Sequence, residues 1–180
     1  MLFFAKESIK KGKSLLVRNA TIADAGVVLR FTKKVAKETP FMAMSEQDEQ
    51  PTINEQAGKL EAMAQDAKSL YLVALIDEKI VGTAKLQAKS QKVKLRHRCE
   101  LCIAVQKAFW RQGIGSCLMH TVIRLAKEMG YEQMELVVSE DNVGAIKMYQ
   151  DFGFFVTGKN PRANKRKENY YDTFNMVKFL

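Results

Sequence analysis

Glu100 to Met129 reads E-L-C-I-A-V-Q-K-A-F-W-R-Q-G-I-G-S-C-L-M-H-T-V-I-R-L-A-K-E-M. Leu101 to Val105 is an apolar run of strand length, and Gln106 to Gln112 is a short loop. Gly113 and Gly115 then open an amphipathic segment in which Ile114, Leu118, Val122 and Leu125 recur at helical spacing. A strand that passes through glycines into a helix makes an anion site. The first helical N–H groups have no internal partner, and the helix dipole favours negative charge beside them. Glycine also lets a phosphate approach the backbone closely. The stretch therefore points to a phosphate-bearing ligand, although glycines before a helix also serve as plain turns. No G-K-[ST] follows, which excludes a P-loop. Leu118 stands where a dinucleotide fingerprint calls for Gly or Ala, while Glu135 lies at a suitable distance for a ribose ligand. A dinucleotide-binding oxidoreductase is accordingly the weaker enzyme alternative.

The chain of 180 residues is long enough for one domain with a substantial core. Its longest apolar run, Leu70 to Ile76, is far too short to span a bilayer as a helix. The opening M-L-F-F-A-K is too short for a secretory signal, so a cytoplasmic location and no membrane partner are expected. Three cysteines, Cys99, Cys102 and Cys117, form no disulfide framework and fit a reduced compartment. Cys99 and Cys102 form C-x-x-C, but within a strand they point to opposite faces. Packing is expected there, with no metal site. The net charge is +9, and basic residues gather in Lys85 to Arg98 and in Lys159 to Lys167. Such charge suits nucleic acid, an anionic cofactor or an acidic substrate equally.

In chain order, residues 1–13 are expected to be a mobile N-terminal segment. Residues 14–180 are expected to form a single domain. Ser14 to Asn19 reads as the first strand. Thr21 with Asp24 marks a helix start, and the helix runs from Ile22 to about Lys37. Thr52 caps a second helix, Ile53 to about Ala67. Leu70 to Ile76 and Lys79 to Ala88 are strands joined at Asp77-Glu78 in a hairpin. His97 to Val105 is the central strand and Gly113 to Met129 the main helix, stopped by Gly130. Gln133 to Val138 is the next strand. Asp141 or Asn142 caps a short helix to about Phe152. Phe154 to Thr157 and Tyr170 to Phe179 are the last two strands, with a basic loop containing Pro161 between them.

Three segments of the C-terminal half together resemble the GNAT superfamily of N-acetyltransferases, bacterial type. E-L-C-I-A-V-Q-K-A-F-W-R-Q-G-I-G-S-C-L-M is similar to its acetyl-CoA pyrophosphate motif. E-L-V-V-S-E-D-N-V-G-A-I-K-M-Y-Q-D-F-G-F-F is similar to its second cofactor motif, and Y-Y-D-T-F-N-M-V-K-F-L to its final strand. The glycine motif departs from the family at Trp110, where Gln or Arg is usual, and Arg111 follows. The resemblance implies an α+β, three-layer αβα fold. Its sheet would be mixed, twisted and six- or seven-stranded, splayed between the two central strands and flanked by about four helices.

It also implies acetyl transfer from acetyl-CoA to a primary amine by direct attack in a ternary complex, without a metal. The cofactor would meet the backbone of Ile103, Ala104 and Val105. Its pyrophosphate would lie against Arg111, Gln112, Gly113, Ile114, Gly115 and Ser116, and Asn142 and Tyr149 would complete the site. Tyr149 is the candidate general acid for the departing thiolate, because a phenol with a pKa of about 10 is protonated at neutral pH. Packing beside Ile146 and Phe152 is its structural alternative. Glu100 is the candidate base, with Glu135 the second. Cys117, with no histidine motif, is a poor nucleophile. The acceptor is a small-molecule or peptide amine, and residues such as Glu38, Glu46, Asp48 and Glu49 would have to line the cleft of a polycationic one. A homodimer is compatible with the family. The alternative of another class is a basic nucleic-acid-binding module, disfavoured because aromatic residues are nearly absent from the basic runs.

Overall fold

The computed structural model describes residues 3–9, 14–45, 47–49 and 51–180. Its elements are β1 (Phe4–Ser8), β2 (Ser14–Asn19), a 3-10 turn at Ile22–Asp24, α1 (Ala25–Glu38), α2 (Ile53–Gln65), β3 (Leu70–Ile76), β4 (Lys79–Ala88) and β5 (Arg98–Val105). A second 3-10 turn at Lys107–Phe109 precedes α3 (Ile114–Glu128), β6 (Gln133–Ser139), α4 (Val143–Asp151), β7 (Phe155–Arg166) and β8 (Asn169–Phe179). The strands form an eight-stranded mixed sheet in the order β1-β2-β3-β4-β5-β6-β8-β7. The α+β class agrees with the sequence reading, and its six or seven strands become eight. The added strand is β1, inside the segment expected to be mobile. It pairs antiparallel with β2 from Phe4–Arg18 to Ser8–Ser14. F-A-K-E-S carries too little apolar alternation to announce a strand, so the ladder with β2 supplies what local propensity does not. The chain divides into two compact units, Met1–Gln87 with Cys102–Val122, and Ala88–Leu101 with Ile123–Leu180.

In the first unit β1 to β4 run antiparallel. The β3–β4 hairpin turns at Asp77 and Glu78, with φ of 47° and 61°. Two successive left-handed residues match the twist of the flanking strands. Thr21 and Asp24 form the expected capping box, and Arg18 grips both Asp24 oxygens at 2.7 and 2.8 Å. Thr52 and Glu55 form a second capping box at the start of α2. Ala25, Val28, Phe31 and Val35 lie four or three apart on α1. They pack with Leu60 of α2 and with Val73, Leu75 and Ile80 of the strands. Ala104 of β5 lies against this cluster.

The second unit contains a parallel pairing. β5 and β6 pair at Arg98–Gln133, Cys99–Met134 and Glu100–Glu135, and the register does not continue to Leu101 and Leu136. β6 pairs antiparallel with β8 along its whole length, from Gln133–Phe179 to Ser139–Thr173. The sequence reading ended the penultimate strand at Thr157 and put a basic loop after it. In fact β7 runs to Arg166, and Lys167 and Glu168 alone separate it from β8. The register shifts between Asn160 and Asn164. Pro161 falls in that interruption, on the edge strand of the sheet, where a missing N–H donor is tolerated.

The Arg18–Asp24 pair makes acid stability testable. The bond from Arg18, and to a lesser extent those from Thr21, hold the Asp24 carboxyl below its ordinary value against the opposing effect of burial. A depressed carboxylate contributes stability that is complete above its unfolded value, about 3.9, and lost as pH falls through its folded value. Asp24→Asn should therefore lower unfolding stability at pH 7 by about 1–3 kcal/mol. The difference from wild type should shrink as pH falls from about 3.9 through the lower folded value. Urea titrations of both proteins at several pH values measure this.

Candidate active site

In the first unit β5 ends at Val105 and the chain turns through Gln106 to Gln112 into α3. Gln106 is buried and ties this loop to its surroundings. Its N–H donates to the Val81 carbonyl at 3.0 Å and its Nε2 to the Ile80 carbonyl at 3.0 Å, while its Oε1 accepts from Lys34 Nζ at 3.1 Å. Glu38 at the end of α1 accepts the Lys107 N–H at 2.8 Å. Trp110 donates its indole N–H to the Val105 carbonyl at 2.7 Å. Where the family carries Gln or Arg, this chain thus has a side chain that fastens the loop back to the strand end.

Arg111 and Gly113 both adopt left-handed backbone, with φ of 60° and 92°. A Cβ placed on Gly113 would meet no atom within 4 Å, so the space before the turn is open. The first intrahelical bond runs from Cys117 N–H to the Gly113 carbonyl at 2.9 Å. The N–H groups of Ile114, Gly115 and Ser116 precede that ladder and have no acceptor within the helix. Gln112 Oε1 is buried without a hydrogen-bond partner, while its Nε2 donates to the Ala108 carbonyl at 3.0 Å. Gly82 on β4 permits close packing here. A Cβ there would stand 3.2 Å from Ile114 and Leu118 side-chain atoms and 3.3 Å from the Ala104 carbonyl oxygen. Burial raises the Tyr71 hydroxyl above its ordinary value, opposed by a bond with Thr83. Cys117 is likewise pushed up by burial, to about 11, which keeps it a thiol and accords with its poor standing as a nucleophile.

In the second unit Asn142 caps α4, its side chain accepting the Ala145 N–H at 3.3 Å. Tyr149 lies on the same helix, 9% exposed, with its ring 5.8 Å from that of Phe154. Glu100 and Glu135 line a groove of about 400 Å³ with Lys89, Arg98, Val137 and Phe155. Lys89 Nζ is 3.4 Å from Glu100, while Glu135 accepts from both Arg98 Nε and Gln133 Nε2. Burial works to raise Glu135, but the bonds from Arg98 and Gln133 and the charge of Lys89 outweigh it and leave its carboxyl below the ordinary value. That counts against Glu135 as a base. Cys99 is buried, its thiol pushed by burial to about 12, whereas Cys102 is exposed. The C-x-x-C residues thus differ in burial as a strand requires. No group of three or more potential metal ligands occurs among the described residues.

Part of the basic character is neutralised internally. Lys159 bridges Glu140 and Asp172 at 3.0 and 2.7 Å, and Arg166 pairs with Asp141 at 2.5 Å. Glu38 holds the loop through Lys107, and Asp48 Oδ2 accepts the Ser45 N–H at 2.6 Å. Glu46 lies outside the described residues. Sequence reasoning singled out Trp110 and Glu38 for other reasons and missed their part in holding the loop, and it missed Gln106 altogether. Their partners are backbone groups or side chains that only folding brings near. Replacing Gln106 by leucine removes the side-chain donor to the Ile80 carbonyl and buries no polar group in its place. Gln106→Leu should lower unfolding stability by about 1–3 kcal/mol in denaturant titrations.

The acetyltransferase (GNAT) family matches residues 36–154, a stretch that enters both compact units. An L-amino acid N-acetyltransferase of Escherichia coli is 30% identical over 59% of this chain, which spans 66% of that relative's length. The crystal structure of a GNAT-family acetyltransferase from Streptococcus pneumoniae superposes with a TM-score of 0.87 at 29% identity, covering 92% of this chain and 99% of the other. A GNAT phosphinothricin acetyltransferase from Sinorhizobium meliloti, solved in complex with acetyl-CoA, shares the fold at 20% identity. Its TM-score is 0.81, over 97% of this chain and 89% of that one. The family match covers well over half of the chain, including the glycine turn and the capped α4, and this chain belongs to the GNAT family of acetyltransferases.

Proposed function

We propose that residues 14–180 act as one N-acetyltransferase domain that moves an acetyl group from acetyl-CoA to a primary amine in a ternary complex. The observation that carries this reading is the start of α3. An open left-handed turn at Gly113 leads to three main-chain N–H groups without helical acceptors. They suit a pyrophosphate, and the helix dipole adds to their attraction. Gly113, Ile114, Gly115 and Ser116 would hold it through the backbone, with Arg111 and Gln112 at the rim. The backbone of Ile103, Ala104 and Val105 would receive the amides of the pantetheine arm, and Asn142 would approach the arm from the start of α4.

In the proposed reaction the amine lone pair forms a bond to the thioester carbonyl carbon, and the carbon–sulfur bond breaks as the tetrahedral intermediate collapses. The amine loses one proton and the departing thiolate gains one. Tyr149 supplies the latter proton, and its packing against Phe154 supports a fixed ring orientation. Glu100 is the proposed acceptor of the former, directly or through water. Its place in a groove of about 400 Å³ supports that role, and its pairing with Lys89 opposes it. The acceptor class favoured here is a small amine such as an amino acid. The named activity of the Escherichia coli relative supports it, and so does the basic balance, which opposes a polycationic acceptor. No helix among the described residues is long and apolar enough to cross a membrane. A cytoplasmic setting belongs to the same proposal, supported by three cysteines that form no disulfide.

Acetyl-CoA at about a hundred times its dissociation constant should stabilise the protein by about 2.7 kcal/mol, seen as a higher melting temperature, and NAD should not. A shift with NAD alone would replace this reading by the oxidoreductase one. Once an amine panel has identified an acceptor, Tyr149→Phe should lower kcat by about 10²–10⁴-fold with acetyl-CoA affinity nearly unchanged. Equal turnover at every pH would reduce Tyr149 to packing.

A further inference from the structure

The β7–β8 hairpin is fastened to the connection between β6 and α4 by two cations. Arg166, near the end of β7, donates from Nη1 to Asp141 Oδ2 at 2.5 Å. Its Nη2 donates to Ser139 Oγ at 2.7 Å and to Asp141 Oδ1 at 3.3 Å. Its guanidinium lies 4.2 Å from the centre of the Tyr171 ring, and its side chain is 19% exposed. Ser139 Oγ in turn donates to Asp141 Oδ1 at 2.6 Å, and the Ser139 carbonyl accepts the Asn142 N–H at 2.9 Å. Asn142 then caps α4. One guanidinium therefore contacts the last residue of β6 and the middle residue of the connection, next to the helix cap. Lys159 makes the second tie through Glu140 and Asp172, whose backbones also pair as Glu140 N–H to the Asp172 carbonyl at 3.0 Å.

A planar, stacked, two-headed donor of this kind is stiffer than a surface ion pair. A fork against a carboxylate fixes orientation as well as distance, whereas an exposed pair such as Lys147–Asp151 contributes little. Nothing in the fold of the hairpin itself requires the tie, because β7 and β8 already pair with each other along their length. Ser139 is also held by the ladder with β8, so what the tie adds is a hold on the side chains of Ser139 and Asp141, the latter next to Asn142.

We infer that Arg166 is a positioning residue of the acetyltransferase site: through Asp141 and Ser139 it holds the Asn142 cap and the first turn of α4 in the place that acetyl-CoA requires. This rests on the proposed function for its ligand, but the tie can be tested without one. It gives part of the basic run Lys159 to Lys167 a role inside the protein. It also makes cofactor affinity depend on a residue that need not touch the cofactor.

The test compares wild type with Arg166→Gln, Asp141→Asn, the double variant and Arg166→Lys by amide hydrogen exchange and by acetyl-CoA titration calorimetry. In the ligand-free proteins, Arg166→Gln should speed exchange at Asn142, Ala145 and Ile146 at least tenfold and leave Met134 and Leu136 unchanged. The dissociation constant for acetyl-CoA should rise about tenfold, the scale of a hydrogen bond to a charged group. Asp141→Asn should do the same, and the double variant should be no worse than either single one. Arg166→Lys should recover part of the affinity. Unchanged exchange at the start of α4 overturns the inference whatever acetyl-CoA does. So does faster exchange together with an unchanged dissociation constant. If wild type itself fails to bind acetyl-CoA, the proposed ligand and the positioning role tied to it both fall, while the exchange data still decide whether Arg166 holds the cap.

Discussion

A helix cannot satisfy its own first N–H groups, and in this chain the start of α3 leaves those of Ile114, Gly115 and Ser116 ahead of the intrahelical ladder. Much of the nearby structure serves to present that start. Gly82 removes the side chain that would hold α3 away from β4. Gln106 anchors the preceding loop to β4 and α1, and Trp110 fastens it to the end of β5. A left-handed turn at Arg111 and Gly113 then leads into the helix. The fixed part of the site is thus main chain held by long-range hydrogen bonds, which explains why one side-chain departure from the family motif at Trp110 is compatible with the fold.

The second unit handles charge in a related way. Arg98, Lys89, Lys159 and Arg166 each meet a carboxylate, and the carboxylates concerned lie on β5, β6, β8 or the β6–α4 connection. Asp141 illustrates the balance. Burial would raise its pKa, but the bonds from Arg166 and Ser139 and the charge of Arg166 prevail and hold it below the ordinary aspartate value. Several of the basic residues that give the chain its net charge of +9 are therefore structural ties rather than a free surface. That weakens the nucleic-acid alternative on physical grounds. Arg162 and Lys165, both exposed, lie over the Tyr170 ring at 4.3 and 5.6 Å.

Elements whose signals are local were legible in the sequence. The capping boxes at Thr21 and Thr52, the Asp77-Glu78 turn and the Asn142 cap are each specified within four residues. The glycine turn before α3 was readable for the same reason. β1 and the outer half of β7 were not, because F-A-K-E-S and the Lys-, Asn- and Pro-rich run to Arg166 look like loop. They become strands through their ladders with β2 and β8. The glutamates divide along the same line. Alternation placed Glu100 on a definite face, but its neighbour Lys89 and the arginine that occupies Glu135 come from chain segments 11 and 37 residues away.

The most direct measurement is an acetyl-CoA titration followed by amide NMR. The account predicts saturable shifts of the Ile114, Gly115 and Ser116 N–H resonances, because these are the donors that the helix leaves unused. Desulfo-CoA, which retains the pyrophosphate, should reproduce the largest of them. Saturable binding that leaves those three amides unmoved would contradict it.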